Sequence, residues 1–109
     1  GLERTYRVET DAQCNLMLWV ERSKTTAWGL LGGHAAQAPD VVVNPGTPEE
    51  KHYLKTNMLP VKKGDIIRIS TGGGGGYGDP KERSREAIAS DIENGYLTLE
   101  HAQKLYCYQ

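Results

Sequence analysis

The sequence contains no phenylalanine, only two cysteines and no apolar stretch near the roughly 20 residues that span a bilayer. Cys14 and Cys107 lie far apart, so we expect two free thiols rather than a disulfide framework. Neither charge sign is in excess, since 13 Lys and Arg face 14 Asp and Glu, for a net charge of −1. This balance offers no electrostatic attraction to nucleic acid or to an anionic membrane.

The length predicts one domain, residues 1–109, with a core that needs neither disulfides nor metal. The chain starts without an initiator Met or a secretory pattern, so we expect a C-terminal piece of a larger cytoplasmic subunit. The three histidines, His34, His52 and His101, show no metal-ligand spacing among themselves or with the cysteines.

Alternating apolar and polar residues predict half-buried strands at the start of the chain. Residues 2–9 form the first strand, and residues 14–21 form the second. A short loop between them favours an antiparallel pair. In the second strand, Met17 and Trp19 lie opposite an apolar face, so both faces of that strand are expected to be covered.

Three further short strands are predicted at residues 41–43, 58–61 and 66–71. Pro60 places the second of these at a sheet edge. The turn chemistry of residues 62–65 predicts a hairpin between the last two strands. Residues 22–39 have little periodicity and are predicted to form a structured loop.

The hydrophobic period changes from two to about 3.6 after residue 78, which predicts two short helices. Asp79 and Ser84 are two possible N-caps for the first helix, and Asn94 with Gly95 ends it. Thr98 caps the last helix. The predicted fold is therefore α+β and mainly β: an antiparallel, sandwich- or barrel-like sheet body over residues 1–71, a glycine loop at 72–78 and a helical tail at 79–109.

Five consecutive glycines, Gly72 to Gly76, precede Tyr77 at the junction of sheet and helices. Such a run is costly in backbone entropy unless the chain needs positive φ or a close approach there. The loop can be a packing corner, a phosphate cradle or a contact with another domain or subunit. A Walker-type loop requires Lys followed by Ser or Thr after its glycines, and Asp79 would repel phosphate.

Two more residues have a setting that suits a site. Trp28, beside Gly29, is expected to be either a core anchor or a stacking surface for a ligand. His34 follows Gly33 in the same loop and is the only histidine in such a setting. No nucleophile, acid–base pair or metal cluster can be assembled from the sequence, so no catalytic residue is predicted and this piece alone is not expected to be active.

Several motifs together resemble the C-terminal end of hydantoinase B subunits, a group that includes the equivalent half of 5-oxoprolinase and relatives in acetone carboxylase. They are Gly64-Asp65 with the apolar strand after it, the run Gly72 to Gly76 followed by Tyr77-Gly78-Asp79-Pro80, the helix end at Asn94-Gly95, Trp28-Gly29-Leu30 with Gly32-Gly33, and Asn44-Pro45-Gly46. The chain departs from the family at residues 34–37, where further glycines are usual, and at its last three residues.

The resemblance implies a parent N-methylhydantoinase- or 5-oxoprolinase-type enzyme that hydrolyses cyclic amides, often driven by ATP. It implies a hydantoinase A-type partner subunit, and ATP and a divalent metal in the full complex rather than in this piece. The expected role is structural, with Gly72, Gly73, Gly74, Gly75, Gly76, Tyr77, Trp28 and His34 forming contact surfaces. The alternative is a small ligand-binding module whose glycine loop holds a phosphate or carboxylate.

Overall fold

The computed structural model describes all residues from Gly1 to Gln109. The chain divides into two compact units. The first comprises residues 1–27 and 36–74, and the second comprises residues 28–35 and 75–109.

The first unit consists of two antiparallel sheets. A four-stranded sheet has the order β1-β6-β3-β4, and a two-stranded sheet pairs β2 with β5. The strands are β1 (Glu3–Arg7), β2 (Cys14–Trp19), β3 (Asp40–Val43), β4 (Lys51–His52), β5 (Lys55–Val61) and β6 (Ile66–Ser70).

The core of this unit lies between the two sheets. Val41, Val43 and Ile67 on β3 and β6 are buried, and Leu16 and Leu59 from the two-stranded sheet pack against them with other partly buried residues. Burial of β-branched and leucine side chains from both sheets is the main stabilising term of such a sandwich. The predicted α+β, mainly β class, with an antiparallel sheet body and two helices at the C-terminal end, is confirmed.

The predicted strand pairing was wrong in two places. β1 pairs with β6, not with β2, and the turn at residues 62–65 leads from one sheet to the other instead of closing a hairpin. The observed pairing is set by the burial of side chains against residues that are distant in the sequence. β6 places Ile67 at the centre of the larger sheet, where it needs neighbours on both sides, and β2 packs its apolar positions over that sheet.

Strand exposure also differs from the prediction. All five residues of β1 are exposed, because the strand lies at the edge of its sheet. The inward face of β2 is partly buried as expected, but Met17 and Trp19 are 68% and 79% exposed. β5 starts earlier than predicted, at Lys55, and the two-residue strand β4 was missed.

A buried carboxylate fixes the start of β6. Asp65 accepts hydrogen bonds from the Lys62 backbone N–H at 2.9 Å and from the Asn44 amide at 3.1 Å. Asn44 in turn accepts from the Ile66 N–H at 2.9 Å. The Lys62 N–H bond, with help from Asn44, outweighs burial and lowers the pKa of Asp65 below its ordinary value.

The second unit carries the predicted helices. Asp79 caps a single 3₁₀ turn, Pro80–Glu82, and Ser84 caps α1, Arg85–Glu93. Thr98 caps α2, Leu99–Tyr106, by accepting from the His101 N–H at 3.2 Å. Ser84 and Thr98 are therefore confirmed as helix caps, while Asp79, the other candidate for the first helix, caps the 3₁₀ turn before it.

The small core of this unit contains Ile88 from α1 and Ala102 from α2, both buried. The Arg83 guanidinium pairs with Asp91 and lies 5.9 Å from the centroid of the Tyr106 ring. These contacts connect the segment before α1 with both helices. Neither helix is long and apolar enough to cross a membrane, and both cysteines are free, as expected.

Candidate functional site

Two loops of the second unit, residues 28–35 and 75–78, lie backbone against backbone. We name these two segments the glycine clasp. The Leu30 N–H donates to the Gly76 carbonyl at 2.9 Å, and the Gly76 N–H donates to the His34 carbonyl at 2.9 Å. The clasp is therefore held by main-chain bonds that connect segments more than 40 residues apart.

Glycines make this approach possible because no Cβ fits between the two backbones. A Cβ on Gly75 would lie 1.9 Å from the Trp28 carbonyl oxygen, and one on Gly33 would lie 2.0 Å from the Gly76 carbonyl oxygen. Within the first loop, a Cβ on Gly29 would lie 1.8 Å from the oxygen of Gly33. Each distance is far below van der Waals contact, so these positions need glycine for steric reasons.

Gly72, Gly73 and Gly74 belong to the first unit and are under less constraint than Gly75. A Cβ on Gly72 would meet Pro39 at 3.3 Å, and one on Gly73 would meet Ala36 at 3.5 Å. A Cβ on Gly74 would meet nothing within 4 Å. None of the five glycines has positive φ. Close approach therefore explains Gly75, while the packing of the chain leaves Gly74 unexplained.

The clasp displays large apolar side chains. Trp28 and Tyr77 are 71% and 77% exposed, and Leu30 and Leu31 are exposed as well. Trp28 is thus no core anchor within this chain. His34 is exposed, and its backbone carbonyl provides its bond to the clasp. The structure thus brings Trp28, His34 and Tyr77 together on one pair of loops.

Three amide groups of the glycine loop are hydrogen-bonded within the chain. Gly73, Gly76 and Gly78 each donate their N–H to a backbone carbonyl within residues 30–37. Asp79, which follows them, accepts from the Lys81 N–H at 2.9 Å and adds negative charge. No group of three His, Cys, Asp or Glu side chains lies close enough to hold a metal ion. These three amides and the charge of Asp79 give little support to a phosphate site, which stays a prediction.

Gly72 and Gly73 border an open cavity of about 290 Å³ in the first unit. Its walls include Val20, Val41 and Ile69, and most of the lining is apolar. Polar and charged residues line it as well: Glu21, Arg22, Thr26, Gln37, Ser70 and Thr71.

Sequence reasoning missed the pairing of the two glycine clusters. It noted the cluster from Gly29 to Gly33 and the run from Gly72 to Gly76 separately. The available signal was the presence of two glycine-rich segments in one short chain, each beside an aromatic residue. Glycines on two segments that touch are a common solution to close backbone approach.

Comparison with known proteins identifies a family that this chain matches. A family model described as Hydantoinase B/oxoprolinase matches residues 1–80, which include the first unit and the clasp. A protein of Methanocaldococcus jannaschii, MJ0963, is 30% identical over 107 residues, which are 97% of this chain and 18% of that protein. The caprolactamase subunit beta of Pseudomonas jessenii is 34% identical over 58 residues, 53% of this chain and 10% of that subunit.

One solved structure shares the fold. The nucleotide-free structure of acetone carboxylase, from work on ATP-dependent acetone carboxylation, aligns with a TM-score of 0.50 and 22% identity. The alignment covers 72% of this chain and 15% of that chain. The chain thus spans less than a fifth of each of these three proteins.

Proposed function

The chain belongs to the hydantoinase B/oxoprolinase family, and we propose that it is the contact domain of a larger hydantoinase-B-like subunit, with the glycine clasp as the surface that meets a hydantoinase A-type partner subunit. Its role is architectural. It supplies no catalytic group of its own, and the reaction takes place elsewhere in the cytoplasmic complex.

The main support for this proposal is that a backbone held by hydrogen bonds presents exposed apolar side chains. Trp28, Leu31 and Tyr77 project from loops whose main chains are bonded to each other. Rigid presentation lowers the entropy cost of binding, and aromatic residues dominate the energy of protein interfaces. A contact surface therefore accounts for both the glycines and the side chains beside them.

We propose that the parent enzyme is a hydrolase of cyclic amides, of the hydantoin or 5-oxoproline class, and that the full complex uses ATP and a divalent metal. The name of the 34% identical caprolactamase supports the substrate class, since caprolactam is a cyclic amide. The ATP-dependent acetone carboxylase shares only the fold, so it supports the architecture and not the chemistry.

The test is co-purification of the full subunit with its partner subunit after Trp28→Ser and Tyr77→Ser are combined. Both side chains are exposed, so the substitutions leave the backbone bonds of the clasp intact. We expect roughly a thousandfold weaker association, since aromatic anchors at an interface contribute about 2 kcal/mol each and about 1.4 kcal/mol is tenfold in affinity. Tyr96→Ser is the matched control, because Tyr96 is 83% exposed in the same unit but lies outside the clasp.

Retention of the partner by the folded double variant at wild-type strength would contradict the proposal. So would an equal loss of partner in the Tyr96→Ser control, because the effect would then not belong to the clasp. Circular dichroism of each purified variant separates loss of contact from loss of fold.

A further inference from the structure

The two-stranded sheet has an apolar outer face that the clasp does not explain. We use the term outer face for Met17, Trp19 and Met58, which point away from the core. Trp19 is the most exposed of the three, and Met58 is 63% exposed. Large apolar side chains that are exposed together on one face of a sheet are typical of an interaction site.

A β-bulge helps to shape this face. Leu16 pairs with Leu59 and Leu18 pairs with Thr56, so two residues of β5 lie opposite Met17 alone. One of the two, Met58, has a φ of +56°. A left-handed conformation at a non-glycine residue costs on the order of 1 kcal/mol. Bulges re-aim side chains, and this one accompanies an outward-facing methionine.

The sequence of β2 is apolar on both faces, which is typical of a strand covered by a layer on each side. Leu16 and Leu18 face the core and are partly buried. Met17 and Trp19 on the other face are exposed, so no layer of the first unit covers them. A two-stranded sheet is marginally stable when it stands alone and gains stability from further packing.

The outer face contains little charge that could attract a partner. Lys55, opposite Trp19, is already paired with Glu21 at 2.7 Å. Beside the strand pair lies an open hollow of about 410 Å³, lined mainly by apolar atoms of residues that include Met17, Leu18 and Trp19. Its chemistry suits apolar side chains that cover it permanently, rather than a charged partner that is drawn in and released.

We infer that the outer face is the docking surface for another segment of the same polypeptide, which lies outside these 109 residues and places an apolar layer over Trp19. The curated relatives are more than five times longer than the region that matches this chain, so a longer subunit has ample sequence to supply that layer. The inference shares with the proposed function the premise of a longer subunit, but it does not depend on the role of the clasp.

The chain carries its own probes for this inference, because its two methionines, Met17 and Met58, both lie on the outer face. The full subunit, purified without its partner subunit, is treated with dilute hydrogen peroxide. Sulfoxide formation at each methionine is then followed by peptide mass spectrometry. The same peptides in the urea-unfolded subunit give the reference rate, and a dilution series tests for contacts between copies.

We expect both methionines of the isolated subunit to oxidise at least about tenfold more slowly than in the unfolded reference, at every concentration, because oxidation follows exposure. Rates equal to the unfolded reference, with and without the partner subunit, would overturn the inference. Protection that appears only with the partner subunit, or only at high concentration, would also overturn it and would assign the face to the partner or to a second copy. Loss of co-purification in the clasp variants leaves these rates unaffected, so the two proposals fail separately.

Discussion

Adjacent glycines in one run should respond to alanine in opposite ways. In Gly75→Ala, the new Cβ starts 1.9 Å from the Trp28 carbonyl oxygen, so the backbones must separate by more than about 1 Å to reach a distance that real side chains adopt. In Gly74→Ala, the new Cβ meets nothing within 4 Å, and φ at this residue is not positive. The two variants differ by one position and carry the same added methyl group.

The loss of stability in Gly75→Ala depends on the hydrogen bonds that break when the two backbones separate. A shift above 1 Å takes the 2.9 Å bonds of Gly76 to Leu30 and to His34 beyond hydrogen-bonding range. Two backbone hydrogen bonds contribute about 1 kcal/mol each, and overpacking adds about 1–3 kcal/mol. The expected loss is about 3–5 kcal/mol, which makes opening of the clasp at least roughly a hundredfold more frequent. Gly74→Ala should be neutral or should stabilise by up to about 1 kcal/mol, because it restricts the unfolded chain.

Hydrogen exchange measured by mass spectrometry on the full subunit tests this pair. Peptides that contain the Leu30 and Gly76 amides should exchange at least roughly a hundredfold faster in Gly75→Ala and at the wild-type rate in Gly74→Ala. Peptides from β3 serve as the internal control and should not change in either variant. Equal exchange rates of these peptides in the two variants would refute the steric reasoning, whether both rates rose or both stayed at the wild-type value.

Two further predictions concern the turn before β6 and the last helix. Because the folded pKa of Asp65 is lowered, its contribution to stability is present above the unfolded aspartate pKa of about 3.9 and is lost as pH falls through the lower folded value. Asp65→Ala should therefore lower the free energy of unfolding by about 1–3 kcal/mol at pH 7. It should also weaken the fall of that free energy at acid pH, as measured by urea unfolding at a series of pH values. The same acid dependence in the variant and the wild type would contradict this. Thr98→Ala should destabilise α2 by about 1 kcal/mol, since it removes the acceptor for the His101 N–H. Thr98→Ser should restore most of that stability, and equal urea midpoints for the alanine and serine variants would refute the cap.

The features that sequence predicted well are those that depend on neighbouring residues. The caps at Asp79, Ser84 and Thr98 were all predicted, because a cap joins a side chain to a backbone N–H two or three residues later. The turn that starts at Asn44 and the strand after Asp40 were also predicted from neighbouring residues.

Features that depend on distant residues were not predicted. The partner of β1 is β6, about 60 residues away, and nothing in either strand specifies the other. β4 contains only two residues, too few to show a period. The clasp was missed for the same reason, since the steric need for Gly33 becomes visible only when the Gly76 backbone lies against it. Register between remote segments is set by burial in the assembled fold, which a single sequence does not display.

The β1–β6 ladder also has a consequence for synthesis on the ribosome. Glu3 pairs with Ser70, so the first strand must wait for more than 60 further residues before its partner emerges. At about 5–20 residues per second, that delay lasts several seconds. Four of the five side chains in β1, Glu3, Arg4, Thr5 and Arg7, are polar or charged. Charged strand edges resist pairing with other chains, so the nascent protein is protected from aggregation during this interval by the same residues that later form the rim of the sheet.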